Sequence, residues 1–264
     1  MFAVPDAMLN VADSGGDGPP FVFQHGLGGD AGQTAEVFPA GPGRRLLTLE
    51  CRGHGRSEAG PAEAFSLAQF RDDLAAFIAR SLPTPVTIGG ISMGAAITLM
   101  LTVRRPELVK SLVIARPAWR LDSAPPNMMP NALVGELLAG NDPATALALF
   151  ERSTVAQELA RASPDNLASL RSFFTRADPQ ILAALLTRIS KDGPVLTAAD
   201  LGRLTIPVLV IGTDADHVHP FAHAEALAAM IPHATLVKIT AKSVSREAYV
   251  RDFRAALDRF LTIS

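Results

Sequence analysis

The chain has 264 residues, of which 48% are hydrophobic and 19% are charged. These proportions are typical of a globular protein with a large core, and they exclude a disordered chain. Its 24 basic and 26 acidic side chains give a net charge of −2 and form no basic stripe, so we expect no nucleic-acid partner.

Cysteine content and segment hydropathy bear on location. The single cysteine, Cys51, excludes an intramolecular disulfide and suits a reducing compartment. Residues 1–20 do not show the basic stretch followed by an apolar stretch of a secretory signal. No run approaches the roughly 18 apolar residues that span a bilayer. We therefore expect a soluble, cytoplasmic protein with no membrane association.

Short apolar runs, rich in β-branched residues, predict six strands covered on both faces. In chain order they occupy residues 21–23, 46–49, 86–90, 112–114, 207–211 and 235–239. Apolar stripes at helical spacing lie between them, notably at residues 67–82 and 246–261. Ser66 and Gln69 resemble a capping box at the start of the first of these helices. This alternation predicts an α/β fold, an open and mostly parallel twisted sheet of about eight strands with helices on both faces.

One region interrupts the alternation. Residues 120–195 contain no convincing strand, and Ala- and Leu-rich patterns predict helices at 132–139, 143–152, 164–175 and 179–190. The run is too long for a single crossover connection, which favours a helical cap over ordinary covering helices. We therefore divide the chain into a core of residues 1–119 and 196–264 and a helical cap of residues 120–195.

The strongest chemical signal is the pentapeptide of residues 90–94, Gly-Ile-Ser-Met-Gly. It follows a predicted strand and opens an apolar helix, which is the context in which G-x-S-x-G marks a nucleophile. The glycines allow strand and helix to approach closely around a strained turn that exposes Ser92. The helix N-terminus then directs free N–H groups at a developing oxyanion. Ser92 is the predicted nucleophile.

With this turn the chain resembles the α/β-hydrolase superfamily, over about residues 8–120 and 200–264. Residues 24–29, Gln-His-Gly-Leu-Gly-Gly, resemble the family's oxyanion loop, and residues 52–57 resemble its R-G-x-G-x-S turn. The resemblance implies an oxyanion hole formed by the backbone N–H groups of Leu27 and Met93. Residues 212–220 resemble the loop with the catalytic acid, four residues before a proline. That implies Asp216 as the acid, with Asp214 second. Asp122 is a weaker candidate because it comes just after the strand that ends near Ala115.

The family's histidine normally follows the last strand, and here it is absent. No histidine follows His233, and Lys242 or Ser243 stands near the expected place. A serine needs a base within hydrogen-bond reach, and three readings remain open. His219, or else His217, acts from the acid loop; Lys242 acts as base in a Ser-Lys arrangement; or no base exists.

Other residues have weaker assignments. His25 is expected to be structural, with a lesser possibility of a role in the site. Trp119, Met128 and Met129 are expected to line an apolar pocket under the cap, although core packing explains the methionines equally well. The potential ligands Asp214, Asp216, His217, His219 and His223 cluster in sequence, but no second cluster completes a metal shell. We predict no metal and no cofactor.

These features predict a serine hydrolase that cleaves a small carboxylic ester or lactone through an acyl-enzyme. Ser92 attacks, His219 transfers the proton and Asp216 orients the histidine. Because fold does not fix reaction, a cofactor-free lyase or C–C bond cleaving enzyme is one alternative. A binding protein that has lost its base is another. The expected partner is a small-molecule substrate, and the sequence does not indicate an oligomeric state.

Overall fold

The computed structural model describes residues 1–263. Within them lie nine strands: β1 Phe2–Val4, β2 Ala7–Leu9, β3 Val11–Asp13, β4 Pro20–Gln24, β5 Arg45–Leu49, β6 Val86–Ile91, β7 Val109–Ala115, β8 Val208–Gly212 and β9 Thr235–Lys238. The α-helices of the same residues are α1 Ala31–Val37, α2 Leu67–Ser81, α3 Met93–Arg104, α4 Met129–Gly140, α5 Pro143–Arg152, α6 Thr154–Ala162, α7 Pro164–Phe173, α8 Pro179–Lys191, α9 Ala198–Leu201, α10 Phe221–Met230 and α11 Arg246–Ile263.

Seven strands form one sheet, in the order β3-β5-β4-β6-β7-β8-β9. β3 pairs antiparallel with β5, and all other neighbours are parallel. The predicted α/β class and mostly parallel sheet are confirmed. The sheet has seven strands where about eight were expected, and β1 and β2 pair with each other in a separate antiparallel ribbon.

Alternate residues of the central strands enter two different cores. In β4, Val22 packs into a core with α2 and α3, while Phe21 and Phe23 pack on the opposite face with Phe253 of α11. All three strand side chains are nearly fully buried. This is the pattern of a sheet covered by helices on both faces, and it explains why the strands are continuously apolar in sequence.

Six helices, α4 to α9, lie between β7 and β8, and we call the first five, α4 to α8, the helical insertion (residues 129–191). They enclose an apolar cluster of their own that includes Val134, Leu138, Phe150, Leu170 and Leu186. The sequence patterns predicted four helices here and missed α6. The division into a core and a cap at residues 120 and 195 stays a prediction.

Departures from the sequence expectations occur where elements are short or exposed. β1 to β3 have three residues each, too few to show an alternation of apolar and polar positions. β9 lies at the sheet edge and is mostly exposed, although its apolar run suggested a covered strand. The helix cap at Ser66 is present, since its Oγ accepts a hydrogen bond from the Gln69 N–H at 3.1 Å. None of the helices in residues 1–263 is both long and apolar enough to cross a bilayer.

Candidate active site

Ser92 lies at the turn between β6 and α3, with φ 57° and ψ −111°. Few non-glycine residues adopt this conformation, and such strain persists only where the surroundings enforce it. The Ser92 N–H donates to the Ala115 carbonyl at 3.0 Å, which ties the turn to the end of β7. A Cβ at Gly90 would collide with the backbone of Gly94, and one at Gly94 would collide with the Gln24 carbonyl. The glycines are therefore required by close approach.

His219 is the histidine that reaches the serine. Its Nε2 lies 2.8 Å from Ser92 Oγ, and its Nδ1 lies 2.8 Å from Asp216 Oδ1. An ionised carboxylate only accepts hydrogen bonds, so the Nδ1–H donates to Asp216 and Nε2 is left to accept the serine proton. The structure thus brings the three predicted residues together in the order that nucleophile activation requires.

A short segment provides both the histidine and its carboxylate. The loop after β8 carries them three residues apart, and the His219 backbone N–H also donates to Asp216 Oδ1 at 3.1 Å. We call residues 213–220 the acid loop. In the family pattern that the sequence suggested, these two groups come from separate loops, so here a single loop replaces two.

Arg116 fixes the carboxylate from the other side. It follows β7 directly, has φ 45°, and its Nε donates to Asp216 Oδ2 at 2.9 Å, with Nη2 donating to the same oxygen. Its Nη1 donates to the Tyr249 hydroxyl at 3.3 Å, and Nη2 lies 3.2 Å from His219 Nδ1. Asp216 is therefore shared between a guanidinium and an imidazole.

The helical insertion and the segment before it also hold the acid loop. Asn166 of α7 donates from Nδ2 to Asp216 Oδ1 at 3.0 Å and accepts the Val218 N–H at 3.0 Å. Asn127, just before α4, donates from Nδ2 to the Val218 carbonyl at 2.6 Å. Both side chains are buried, so the loop conformation depends on groups far away in sequence.

Burial and charge set the protonation states. Burial lowers the pKa of His219; Asp216 opposes that shift and Arg116 adds to it. For Asp216, burial alone would raise the pKa, but the charge of Arg116 and the interactions with His219 outweigh it and hold the carboxyl pKa far below its usual range. Near neutral pH the arrangement is therefore a neutral imidazole beside an ionised carboxylate, which suits a general base.

The two backbone N–H groups predicted to form an oxyanion hole belong to segments that lie beside Ser92. Met93 is the first residue of α3, so its backbone N–H has no acceptor carbonyl within the helix. The loop of residues 26–29 approaches the serine closely, since a Cβ on Gly26 would lie 3.3 Å from Ser92 Cβ. Leu27 of that loop lines the cavity at Ser92. The predicted use of Leu27 and Met93 as donors stays a prediction.

Ser92 and His219 open into a cavity of about 120 Å³. The helical insertion contributes part of its wall through Asn131, Asp165, Asn166, Ser169, Leu170 and Phe173. Typical ligand pockets are larger, about 300–1,000 Å³. The space beside the serine therefore suits a small group. A larger cavity of about 260 Å³ lies between the R-G-x-G-x-S turn and α8, but neither Ser92 nor His219 lines it.

The other predicted site residues are distributed differently. Lys242 is half-buried and lines the serine cavity, as does Met128. His217 is exposed, and its backbone N–H donates to Ser163 Oγ at 3.0 Å. Of the candidate bases, only His219 has a hydrogen bond to Ser92 in the part of the chain the structure describes.

Three residues considered for the cavity wall, His25, Trp119 and Met129, are not among the described residues that line the cavity at Ser92. His25 is fully buried, with Nε2 accepting the Cys51 N–H at 3.0 Å and Nδ1 donating to the Gly26 carbonyl at 2.8 Å. Both ring nitrogens are therefore used structurally, as the sequence analysis favoured. Trp119 is buried and donates to the Asp192 carbonyl. Met129 is 57% exposed. Residues 1–263 contain no cluster of three or more side chains arranged to hold a metal ion.

Comparisons with known proteins agree with this architecture. The family model described as "alpha/beta hydrolase fold" matches residues 19–242. The chain belongs to this family. The enol-lactonase from Burkholderia xenovorans LB400 is a similar α/β-hydrolase structure, with a TM-score of 0.76 and 25% identity over 99% of both chains.

Two curated relatives match over shorter segments. BpoC of Mycobacterium tuberculosis, whose name is that of a non-heme bromoperoxidase, is 41% identical over 122 residues, 44% of this chain and 45% of its own. The mouse sn-1-specific diacylglycerol lipase ABHD11 is 29% identical over 133 residues, 49% of this chain and 41% of its own. The matched segments thus span less than half of these relatives. The α/β-hydrolase relatives include proteins named as lactonase and lipase.

Sequence reasoning missed Arg116 and Asn166. Arg116 had a usable signal, because it directly follows a buried parallel strand, at the sheet edge where α/β proteins place their sites. Asn166 had none, since its importance arises only from the packing of α7 over the acid loop.

Proposed function

We propose that this α/β-hydrolase family member is a serine hydrolase that cleaves a small carboxylic ester or lactone through an acyl-enzyme. Ser92 is the nucleophile, His219 the general base and acid, and Asp216 the residue that orients the histidine. The N–H groups of Leu27 and Met93 stabilise the oxyanion. The substrate is a small molecule, and location in the cytoplasm stays a prediction.

One observation carries the proposal: His219 lies within 2.8 Å of both Ser92 Oγ and Asp216 Oδ1. This chain of contacts satisfies the geometric requirement for an activated serine, in which the base reaches the nucleophile and is itself oriented by a third group. The missing C-terminal histidine therefore does not argue against nucleophilic catalysis.

The reaction follows from these positions. Ser92 Oγ bonds to the substrate carbonyl carbon while its proton passes to His219 Nε2, and the carbonyl electron pair moves onto the oxygen that faces the two N–H groups. The oxyanion then collapses and breaks the ester C–O bond, and His219 gives its proton to the departing alkoxide. In a lactone that alcohol stays attached to the acyl chain. Water, deprotonated by His219, then cleaves the acyl-enzyme and releases Ser92.

Two further observations support an ester or lactone. The Burkholderia relative over the full chain is named an enol-lactonase, and the mouse relative is named a diacylglycerol lipase. The cavity at Ser92 is small and has mixed polarity, with Gln33 and Asn131 beside Leu170 and Phe173. Such a wall suits a compact acyl group that carries polar atoms.

A fluorophosphonate probe tests the acyl-enzyme directly, because it phosphonylates only an activated serine. We expect stoichiometric labelling of the native protein, complete loss of labelling in Ser92→Ala, and hydrolysis of short p-nitrophenyl esters that Ser92→Ala abolishes. Ser57→Ala is a matched control, since Ser57 belongs to the R-G-x-G-x-S turn, where it bonds the Glu50 carbonyl and the Asn10 N–H, and it should still label.

The alternatives predict different results. Labelling at Ser92 without turnover of any ester or lactone would favour a cofactor-free lyase on the same scaffold. Absence of labelling in a folded protein would overturn the proposal in favour of a binding protein.

A further inference from the structure

We infer that Arg116 is a positioning residue of the Ser92–His219–Asp216 arrangement: it clamps the carboxylate in line with the imidazole and offsets its negative charge. The inference deepens the proposed function and rests on it. His219 thus faces a neutral carboxylate–guanidinium pair, whereas in an ordinary serine–histidine–carboxylate arrangement the histidine faces an unpaired anion.

The geometry of Arg116 is that of a clamp with fixed ends. Two of its nitrogens, Nε and Nη2, donate to the same oxygen, Asp216 Oδ2. Oδ1 is thereby left for the His219 Nδ1–H. On the far side, Nη1 donates to the hydroxyl of Tyr249, which is buried on α11. A planar guanidinium held at both ends holds Asp216 Oδ2 in place better than a lysine could, because it donates to that oxygen from two fixed nitrogens.

The backbone of Arg116 also indicates a constrained position. Its φ of 45° lies in the left-handed region, which side chains other than Asn and Asp rarely adopt. Its N–H donates to the Ile211 carbonyl at 2.7 Å, immediately after the β7–β8 pairing. The turn therefore directs the Arg116 side chain across the end of β8 toward the acid loop. If the strand continued, the side chain would point away from that loop.

The consequence is electrostatic. Nη2 of Arg116 is 3.2 Å from His219 Nδ1, which carries a proton, so a positive imidazolium beside it would meet like charge. Arg116 contributes to the lowered pKa of His219, after burial, while Asp216 opposes both. The neutral, proton-accepting form of His219 therefore persists to lower pH than it would beside an unpaired Asp216.

Other ionisable groups lie around His219 and must stay constant in the test. Asp165 of α7 and Lys242 after β9 line the same cavity and carry opposite charges. His223 of α10, itself near Arg120, interacts with His219. Tyr249 stands behind Arg116. Substitutions confined to position 116 leave all of these groups in place.

The test titrates the His219 ring by ¹H–¹⁵N NMR, assigned by its loss in His219→Asn, and measures the pH dependence of kcat/KM in parallel. In Arg116→Gln the titration and the acid limb should both move to higher pH by about one unit, because an uncompensated carboxylate stabilises the imidazolium. In Arg116→Lys both should stay within about 0.3 unit of wild type while kcat falls, since the charge remains and the fork is lost.

Arg116→Asn is a second charge-removing variant, chosen because asparagine tolerates a positive φ. It should reproduce the Gln result if that variant is unstable in thermal unfolding. If neither folds, Arg116→Lys decides, since a displaced titration there overturns the inference. Equal loss of kcat in all variants with an unmoved acid limb and titration would make Arg116 merely structural. A shifted titration in a protein that hydrolyses no ester and takes no probe would sustain the inference about Arg116 and reject the proposed function alone.

Discussion

The nucleophile turn and the acid loop provide the two halves of the candidate site, and they are built in opposite ways. Residues 90–94 can be recognised from their own sequence, as a buried strand, a helix, and glycines where a Cβ would collide with backbone, although Gln24 and Ala115 also contact the turn. The acid loop of residues 213–220 holds its shape through side chains far away in the chain, notably Arg116, Asn127 and Asn166. The candidate nucleophile, Ser92, is thus recognisable from local sequence, whereas the position of the proposed base, His219, depends on tertiary contacts.

This difference has a practical meaning for the proposed hydrolase. The nucleophile turn makes hydrogen bonds and close contacts that any member of the fold can reproduce with the same short motif. The acid loop carries both the histidine and the carboxylate, so its conformation sets two distances at once. We therefore expect activity to be more sensitive to remote substitutions around the acid loop than around the nucleophile turn.

The largest effect on activity is expected when the proposed base is removed from the acid loop. His219→Ala should lower kcat/KM by at least about 10³-fold, because the serine then has no proton acceptor within reach. Lys242→Met is the matched control, since Lys242 lines the same cavity but has no hydrogen bond to Ser92, and it should cost less than about tenfold. Steady-state kinetics on a p-nitrophenyl ester measure both. A larger loss in Lys242→Met than in His219→Ala would transfer the role of base to the lysine.

The next effect concerns the carboxylate. Asp216→Asn should lower kcat by about 10³-fold, since the amide no longer fixes the histidine tautomer. It should also lower the free energy of unfolding by about 3 kcal/mol, because Arg116 loses its buried partner. Asp214→Asn is the control: Asp214 is exposed and pairs on the surface with Lys238, and its replacement should change neither quantity appreciably. Urea unfolding and kinetics distinguish them, and equal effects at the two positions would contradict this account.

A smaller effect on activity is expected when the contact between the helical insertion and the acid loop is removed. Asn166→Ala should lower kcat/KM by about tenfold, because a displaced loop misplaces the histidine. The free energy of unfolding should fall by about 1–2 kcal/mol, since the Val218 N–H loses its acceptor. Ser169→Ala, on the same helix and the same cavity wall, should leave stability within about 0.5 kcal/mol of wild type. Equal kinetic losses in the two variants would indicate a role in substrate contact for Asn166.

The smallest expected effect is a shift in the pH dependence of kcat/KM. In the proposed mechanism the neutral form of His219 is the active one. Its pKa is lowered from the usual 6.5, so activity should be retained as pH falls to values below 6.5. The acid limb of kcat/KM for a neutral ester should therefore have its midpoint below that value. A midpoint at or above 6.5 would mean that the attraction of Asp216 exceeds the combined effect of burial and Arg116.

Much of the fold follows from periodicity. The runs that become β4 to β8 are continuously apolar because both faces of the sheet are covered, and such runs stand out in any sequence. β1 and β2 could not be found in this way, because three residues are too few to show a period and the ribbon is stabilised by its pairing and by packing against α2. Trp119 was expected at the cavity wall but is not among the described residues that line the cavity at Ser92, because an apolar side chain near a site packs equally well beneath it.

The sequence by itself predicted Ser92 as the nucleophile, because the two glycines that the close approaches require stand on either side of it, between a strand and a helix. It also narrowed the acid and the base to the segment after β8. Only the tertiary structure distinguished His219 from His217 and Lys242. That choice depends on which side chain the acid loop turns toward Ser92, and Arg116, Asn127 and Asn166 fix this orientation from elements that are distant in the chain. Contacts between segments so far apart leave no local pattern, which explains why the position of the serine could be predicted and the geometry of its base could not.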